Sequence, residues 1–196
     1  MSMVLSLMML GVALTHAEGA AAAAASKVPT DSEARTAIRA VLQLIPGDDI
    51  QHDYRPLQVR VADLDGDGVA EIIHVYSSTY TGGTIEQSNE LVVMTALSEG
   101  DRRGQLAHPG ANAIDDSDMA AIRAAGYASD AEEHVPGRLD ALQVADGKII
   151  VRFTAAAGST FCFEKDRERA KLEGCPTPGP HVWRFDWSPG RLQRIQ

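Results

Sequence analysis

The chain has 196 residues and a formal net charge of −9, from 27 acidic and 18 basic residues. That length suits one domain plus a short appendage. The charge balance argues against nucleic acid and against an anionic membrane surface as partners, because both are held through Lys and Arg.

Met3–Leu14 is an apolar run, shorter than the roughly 20 residues a bilayer-spanning helix needs. Thr15-His16-Ala17 follows with small-x-small cleavage character, although no Lys or Arg precedes the run. Residues 1–17 therefore read as a secretory signal peptide. Residues 18–29 are Ala-rich and are expected to form a disordered tether. The expectation is a single domain over 30–196, periplasmic or secreted, with no membrane attachment once the signal is cleaved.

Thr30-Asp31-Ser32-Glu33 fits a capping box, with Thr30 as N-cap and Glu33 at N3. Ala34, Ile38, Val41, Leu42 and Ile45 then recur at helical spacing, and Pro46-Gly47 ends the helix. Residues 57–62 and 70–77 alternate or are rich in β-branched and aromatic types, which predicts two strands. Residues 90–96 predict a third. A polar excursion over 98–115 leads to Asp116-Ser117, which can cap a short helix ending at Gly126. Glu132-Glu133-His134 reads as a solvated charged loop before Pro136-Gly137. Strands over 139–144 and 148–154 flank the turn Ala145-Asp146-Gly147. Phe161-Cys162-Phe163 predicts a short strand. Trp183–Trp187 alternates aromatic and polar, and Ser188-Pro189-Gly190-Arg191 turns it into a return strand over 192–195. The fold class is mainly β (α+β): one antiparallel sheet of about seven or eight strands, an N-terminal helix and one short helix. With aromatics at 5%, the expected core is mainly aliphatic. Cys162 and Cys175, an even pair in an exported chain, read as one disulfide.

Residues 59–76 carry the most specific signal. Asp63, Asp65 and Asp67 stand at alternate positions, Gly68 follows, and Glu71 comes four residues after the last Asp. Calcium takes six to eight oxygen ligands, and a tight loop delivers them from alternate residues. Gly68 falls at the sixth position, where the chain turns sharply. Val69 would offer its backbone carbonyl, and Glu71 a carboxylate, directly or through water. An EF-hand would need helices on both sides and a bidentate Glu at the twelfth position. Here the flanks are strands, and the twelfth residue is His74, expected to face solvent. The pattern resembles the Asp-x-Asp-x-Asp-Gly-x-x-Asp/Glu loops of FG-GAP and related repeat modules. That resemblance implies a calcium ion and an extracytoplasmic setting.

No Gly-x-Ser-x-Gly elbow, His-Glu-x-x-His helix or phosphate-binding Gly-rich loop occurs in the chain, so the expectation is a non-enzymatic protein. The stretch after the second strand has the character of a binding loop. Tyr80 offers amphipathic contact area, Gly82 and Gly83 allow close backbone approach, and Thr84 adds a polar group. A small exported β protein with one calcium loop and such a Gly-rich loop is similar to periplasmic lysozyme inhibitors. It is also similar to immunity proteins against cell-wall hydrolases. The resemblance implies binding and inhibition of a cell-wall hydrolase or secreted effector. Two alternatives stand beside it: a hydrolytic enzyme with a structural calcium, and a calcium-stabilised envelope module with no protein target.

Overall fold

Ile72, Ile73, Val75 and Tyr76 give one strand apolar side chains on both faces, and the fold covers both. The computed structural model describes residues 28–42, 50–52, 58–80, 87–98, 116–155 and 176–195. The central strand is β3 (Glu71–Tyr80). It pairs on one side with β1 (Ile50–His52) and β2 (Gln58–Ala62), and on the other with β4 (Gln87–Ala96). β4 in turn pairs with β5 (Tyr127–Pro136), and every pairing is antiparallel. A second antiparallel sheet runs β6 (Arg138–Ala145), β7 (Lys148–Ala155), β8 (Gly179–Ser188) and β9 (Arg191–Arg194), in that order.

The fold is thus mostly β, but the single sheet expected from sequence is two sheets. Ile73, Val75, Leu91, Val93 and Val135 of the first sheet face Leu142, Ile149, Val151, Phe153, Trp183 and Phe185 of the second. Neither face could be left in water, because burying such side chains is worth roughly 1.5–3 kcal/mol each. Among the described residues, Phe153, Trp183 and Phe185 lie in this layer, whereas Tyr76 and Tyr127 lie on the helix side. Phe153 and Trp183 meet edge to face with ring centroids 4.7 Å apart, and His181 stacks on Phe153 at 5.3 Å.

Two helices, α1 (Asp31–Leu42) and α2 (Asp116–Ala125), cover the opposite face of the first sheet. Ala34, Ala37, Ile38, Val41 and Leu42 form the buried stripe of α1, packed against Val59, Ile72, Tyr76, Val92 and Met94. The small residues at 34 and 37 let the helix approach closely. Its start is the expected capping box. The Thr30 backbone N–H donates to Glu33 Oε2 at 2.8 Å, and the Glu33 N–H donates to Thr30 Oγ1 at 3.3 Å. Thr30→Ala is expected to destabilise the protein by about 1 kcal/mol, read as a lower urea midpoint at unchanged slope. A midpoint within error of the parent would remove the cap from this account. Gly126 ends α2 in the left-handed region at φ 75, its N–H returning to Ile122 O at 3.0 Å.

Glu132-Glu133-His134, expected as a loop, lies inside β5. Its polar sequence suits an edge strand, where charges discourage pairing with other chains. At the far end of β5 the chain passes from one sheet to the other through Gly137 alone. Beside that corner Asn89 is fully buried. Its side chain accepts from Ser77 Oγ at 2.9 Å and donates to Val135 O at 3.2 Å. Residues 1–27, Ile45 to Gly47, and Phe161 to Phe163 with Cys162 and Cys175 lie outside the described residues, and so do the signal peptide, most of the tether and the disulfide. Among the described residues, no helix is long and apolar enough to cross a membrane.

Candidate metal centre

β2 and β3 are joined by residues 63–70, with Ala62 and Glu71 facing each other in register. The loop is wound by its own carboxylates. Asp63 accepts from the Gly66 N–H at 2.7 Å and, through its second oxygen, from the Gly68 N–H at 3.0 Å. Asp65 accepts from the Asp67 N–H at 3.1 Å, and Asp67 from the Val69 N–H at 2.7 Å. Short Asp side chains favour such turns. Gly66 and Gly68 sit at φ 80 and φ 89, and nothing lies within 4 Å of where a Cβ would stand. Glycine is required there by backbone conformation, not by crowding.

This winding brings carboxylate oxygens of Asp63, Asp65 and Glu71 within 4.8 Å of one another, a group that could hold a metal ion. Asp63 and Asp65 are exposed, whereas Glu71 is 3% exposed. Asp67 stands outside the trio but lines the same cleft, with Asp65, Val69 and Glu71. The loop is held from behind on both sides. Leu64 packs into the layer between the sheets, its N–H donating to Glu71 Oε2 at 2.8 Å, and Tyr127 Oη donates to Ala70 O at 3.3 Å.

Without a cation the arrangement is costly. Burial, then the charges of Asp65 and Asp67, push the Glu71 carboxyl up to about 7, against the opposing bond from the Leu64 N–H. A carboxyl raised in this way favours the folded chain below its ordinary range and ceases to do so as pH rises through about 7. At neutral pH a divalent ion would offset that loss, and it would bind only the ionised form.

The cleft beside the loop has a volume of about 320 Å3, and its far wall is Asp130, Trp187 and Pro189. Asp130 reaches it because of a bulge. Val93 pairs with Ala131 and Met94 with Ser129, so Asp130 is the extra residue in β5. Its Oδ2 accepts from Trp187 Nε1 at 3.1 Å and from the Gly190 N–H at 2.6 Å, tying the two sheets together. Nothing in the sequence announced this contact, since a bulge has no residue signature in an otherwise polar strand.

His74 is corrected from solvent-facing to buried. Successive side chains of a strand point to opposite faces. Glu71, Ile73 and Val75 share one face of β3, while His74 lies on the other, between Val59 and Val92 in register. It is therefore no ligand of the loop. It is 1% exposed, neither ring nitrogen has a hydrogen-bond partner among the described residues, and burial pushes its pKa down to about 3.

On that same face Tyr76, Glu90 and His134 stand in one cross-strand row. His134 Nδ1 is 2.7 Å from Glu90 Oε1, and this bond, with the carboxylates around it, raises the His134 pKa. Burial and then the Glu90 charge raise the pKa values of Tyr76 and Glu132.

Of the expected partner loop, Tyr80 closes β3, opposite Ile50, while Gly82, Gly83 and Thr84 lie outside the described residues. Tyr80 and Glu71 are at opposite ends of a 10-residue strand, roughly 30 Å apart at about 3.3 Å per residue. No family model, curated protein or solved structure matches the chain.

Proposed function

We propose that the protein is an exported calcium-binding module, not an enzyme, that binds and inhibits a cell-wall hydrolase. The observation that carries the calcium part is the convergence of Asp63, Asp65 and Glu71 on a loop with two positive-φ glycines. Hard carboxylate oxygens delivered by a short loop suit calcium better than magnesium, which demands a small octahedral cage and keeps its waters. The ion's role is structural: it neutralises the loop that joins β2 to β3. The strand length argues that it acts on a partner only through β3, because Tyr80 stands at the far end.

Calcium should bind with measurable heat and raise the melting temperature, magnesium should do little, and chelator should reverse the effect. The stabilisation is about 2.7 kcal/mol when calcium is a hundredfold above Kd. Asp65→Ala should abolish the calcium dependence. No heat of binding, with a melting curve indifferent to chelator, would reduce the loop to an acidic turn.

The inhibitor reading is tested separately, with a panel of muramidases and amidases. Inhibition that weakens in Tyr80→Ala supports it. An unaffected panel counts against it, and turnover of an ester, peptide or glycan substrate by the purified protein would favour the enzyme alternative.

A further inference from the structure

The outward face of the second sheet differs in charge from the rest of the molecule. Alternation along β7 and β8 turns Lys148, Arg152, Val182, Arg184 and Asp186 away from the inter-sheet layer, because Val151, Trp183 and Phe185 fill that layer. Register places Arg152 opposite Val182, and Arg184 opposite Ile150, which is 8% exposed. Lys148 pairs with Asp186 and Arg138 with Asp140, which compensates the edges of the face. Among the described residues Arg152 and Arg184 make no ion pair, and both are exposed. Val182 is 43% exposed, and Ile195, whose N–H donates to Arg184 O at 2.9 Å, is 46% exposed. These are two of the three large hydrophobics exposed among the described residues.

A chain of net charge −9 thus presents a basic–aliphatic face on this sheet. Uncompensated arginines interleaved with exposed aliphatics match the composition of protein interfaces, where Arg is enriched and apolar groups form the centre. We propose that this face, centred on Arg152, Val182, Arg184 and Ile195, docks an acidic protein surface that carries aliphatic side chains. The charge of the face selects the sign of the partner. Val182 and Ile195 select a protein over a bare polyanion, which would use the arginines alone. The proposal is independent of the metal loop and of the Tyr80 hairpin.

The test is a titration of the full chain, calcium present, with a twelve-residue peptide of alternating Glu and Leu. Poly-Glu of the same length and anionic phosphatidylglycerol vesicles are the comparison probes. Amide shifts confined to residues 150–152, 182–184 and 193–195 are expected, with at least tenfold tighter binding of the mixed peptide than of poly-Glu. Binding should weaken with salt. Arg152→Glu with Arg184→Glu should lower affinity at least tenfold and leave the melting temperature unchanged, since exposed substitutions away from packed features rarely exceed about 0.5 kcal/mol. Val182→Ser should weaken the mixed peptide and spare poly-Glu. Equal binding of poly-Glu, capture by vesicles, shifts that map elsewhere, or no binding would each overturn the proposal.

Discussion

His74→Leu is expected to remove much of the protein's sensitivity to acid. In the folded chain the imidazole is buried without a hydrogen-bond partner among the described residues, and burial pushes its pKa down to about 3, against 6.5 in the unfolded chain. Above pH 6.5 neither state binds the proton, and His74 contributes no pH dependence. Between 6.5 and 3 the unfolded chain takes up a proton that the folded chain refuses, so stability falls as pH falls. The full loss is about 5 kcal/mol, at 1.36 kcal/mol per unit of pKa difference. Leucine fits the apolar surroundings of Val59 and Val92. It also removes two unsatisfied polar atoms, worth about 1–3 kcal/mol even at neutral pH. Urea unfolding of both proteins from pH 4 to pH 7 reads the difference directly, because the remaining groups titrate alike in each. Parallel stability curves would refute the assignment.

Gly137→Ala is expected to destabilise the protein strongly, for a reason of space. Gly137 has φ 78, and a Cβ there would stand 2.3 Å from the Thr154 carbonyl oxygen and 2.9 Å from the Ala155 Cα. Both obstacles are backbone of β7, so neither can swing aside as a side chain would. Backbone strain of about 1–3 kcal/mol adds to an overpacking cost of about 1–3 kcal/mol. Thermal melting should show a large drop, or the variant should fail to accumulate folded. A drop no larger than that of Thr30→Ala would mean the corner yields easily.

Local signals were legible in the sequence where one residue type answers one backbone need. The Thr30–Glu33 box, the Gly126 cap and the Asp146-Gly147 turn, at φ 53 and φ 68, are of this kind. So is the alternation of Asp63, Asp65 and Asp67 with Glu71 four residues on, which named all three converging members, while Asp67 stands outside them. Pairing was less legible. Period-two alternation says which face a side chain takes, not which strand lies opposite, so two sheets read as one. β3 is covered on both faces, by helices and by the second sheet, and its alternation disappears. His74 sits inside that continuous apolar run, and its polarity masked its burial. β5 was missed for the reverse reason, since its edge position tolerates Glu132, Glu133 and His134.

The second sheet takes its strands in chain order, β6 to β9. It is a meander whose neighbours are also neighbours in sequence, so each added strand closes one chain segment. Each sheet still contains one distant closure: β5 joins β4 across residues 97–126, and β8 joins β7 across residues 156–178, at similar entropic cost. Folding should therefore begin at the most local pairing, the β6–β7 hairpin closed by Asp146 and Gly147, on which the more distant strands settle. In native-state hydrogen exchange the amides of Ile149, Val151 and Phe185 would then be the last to open, and those of β1 among the first.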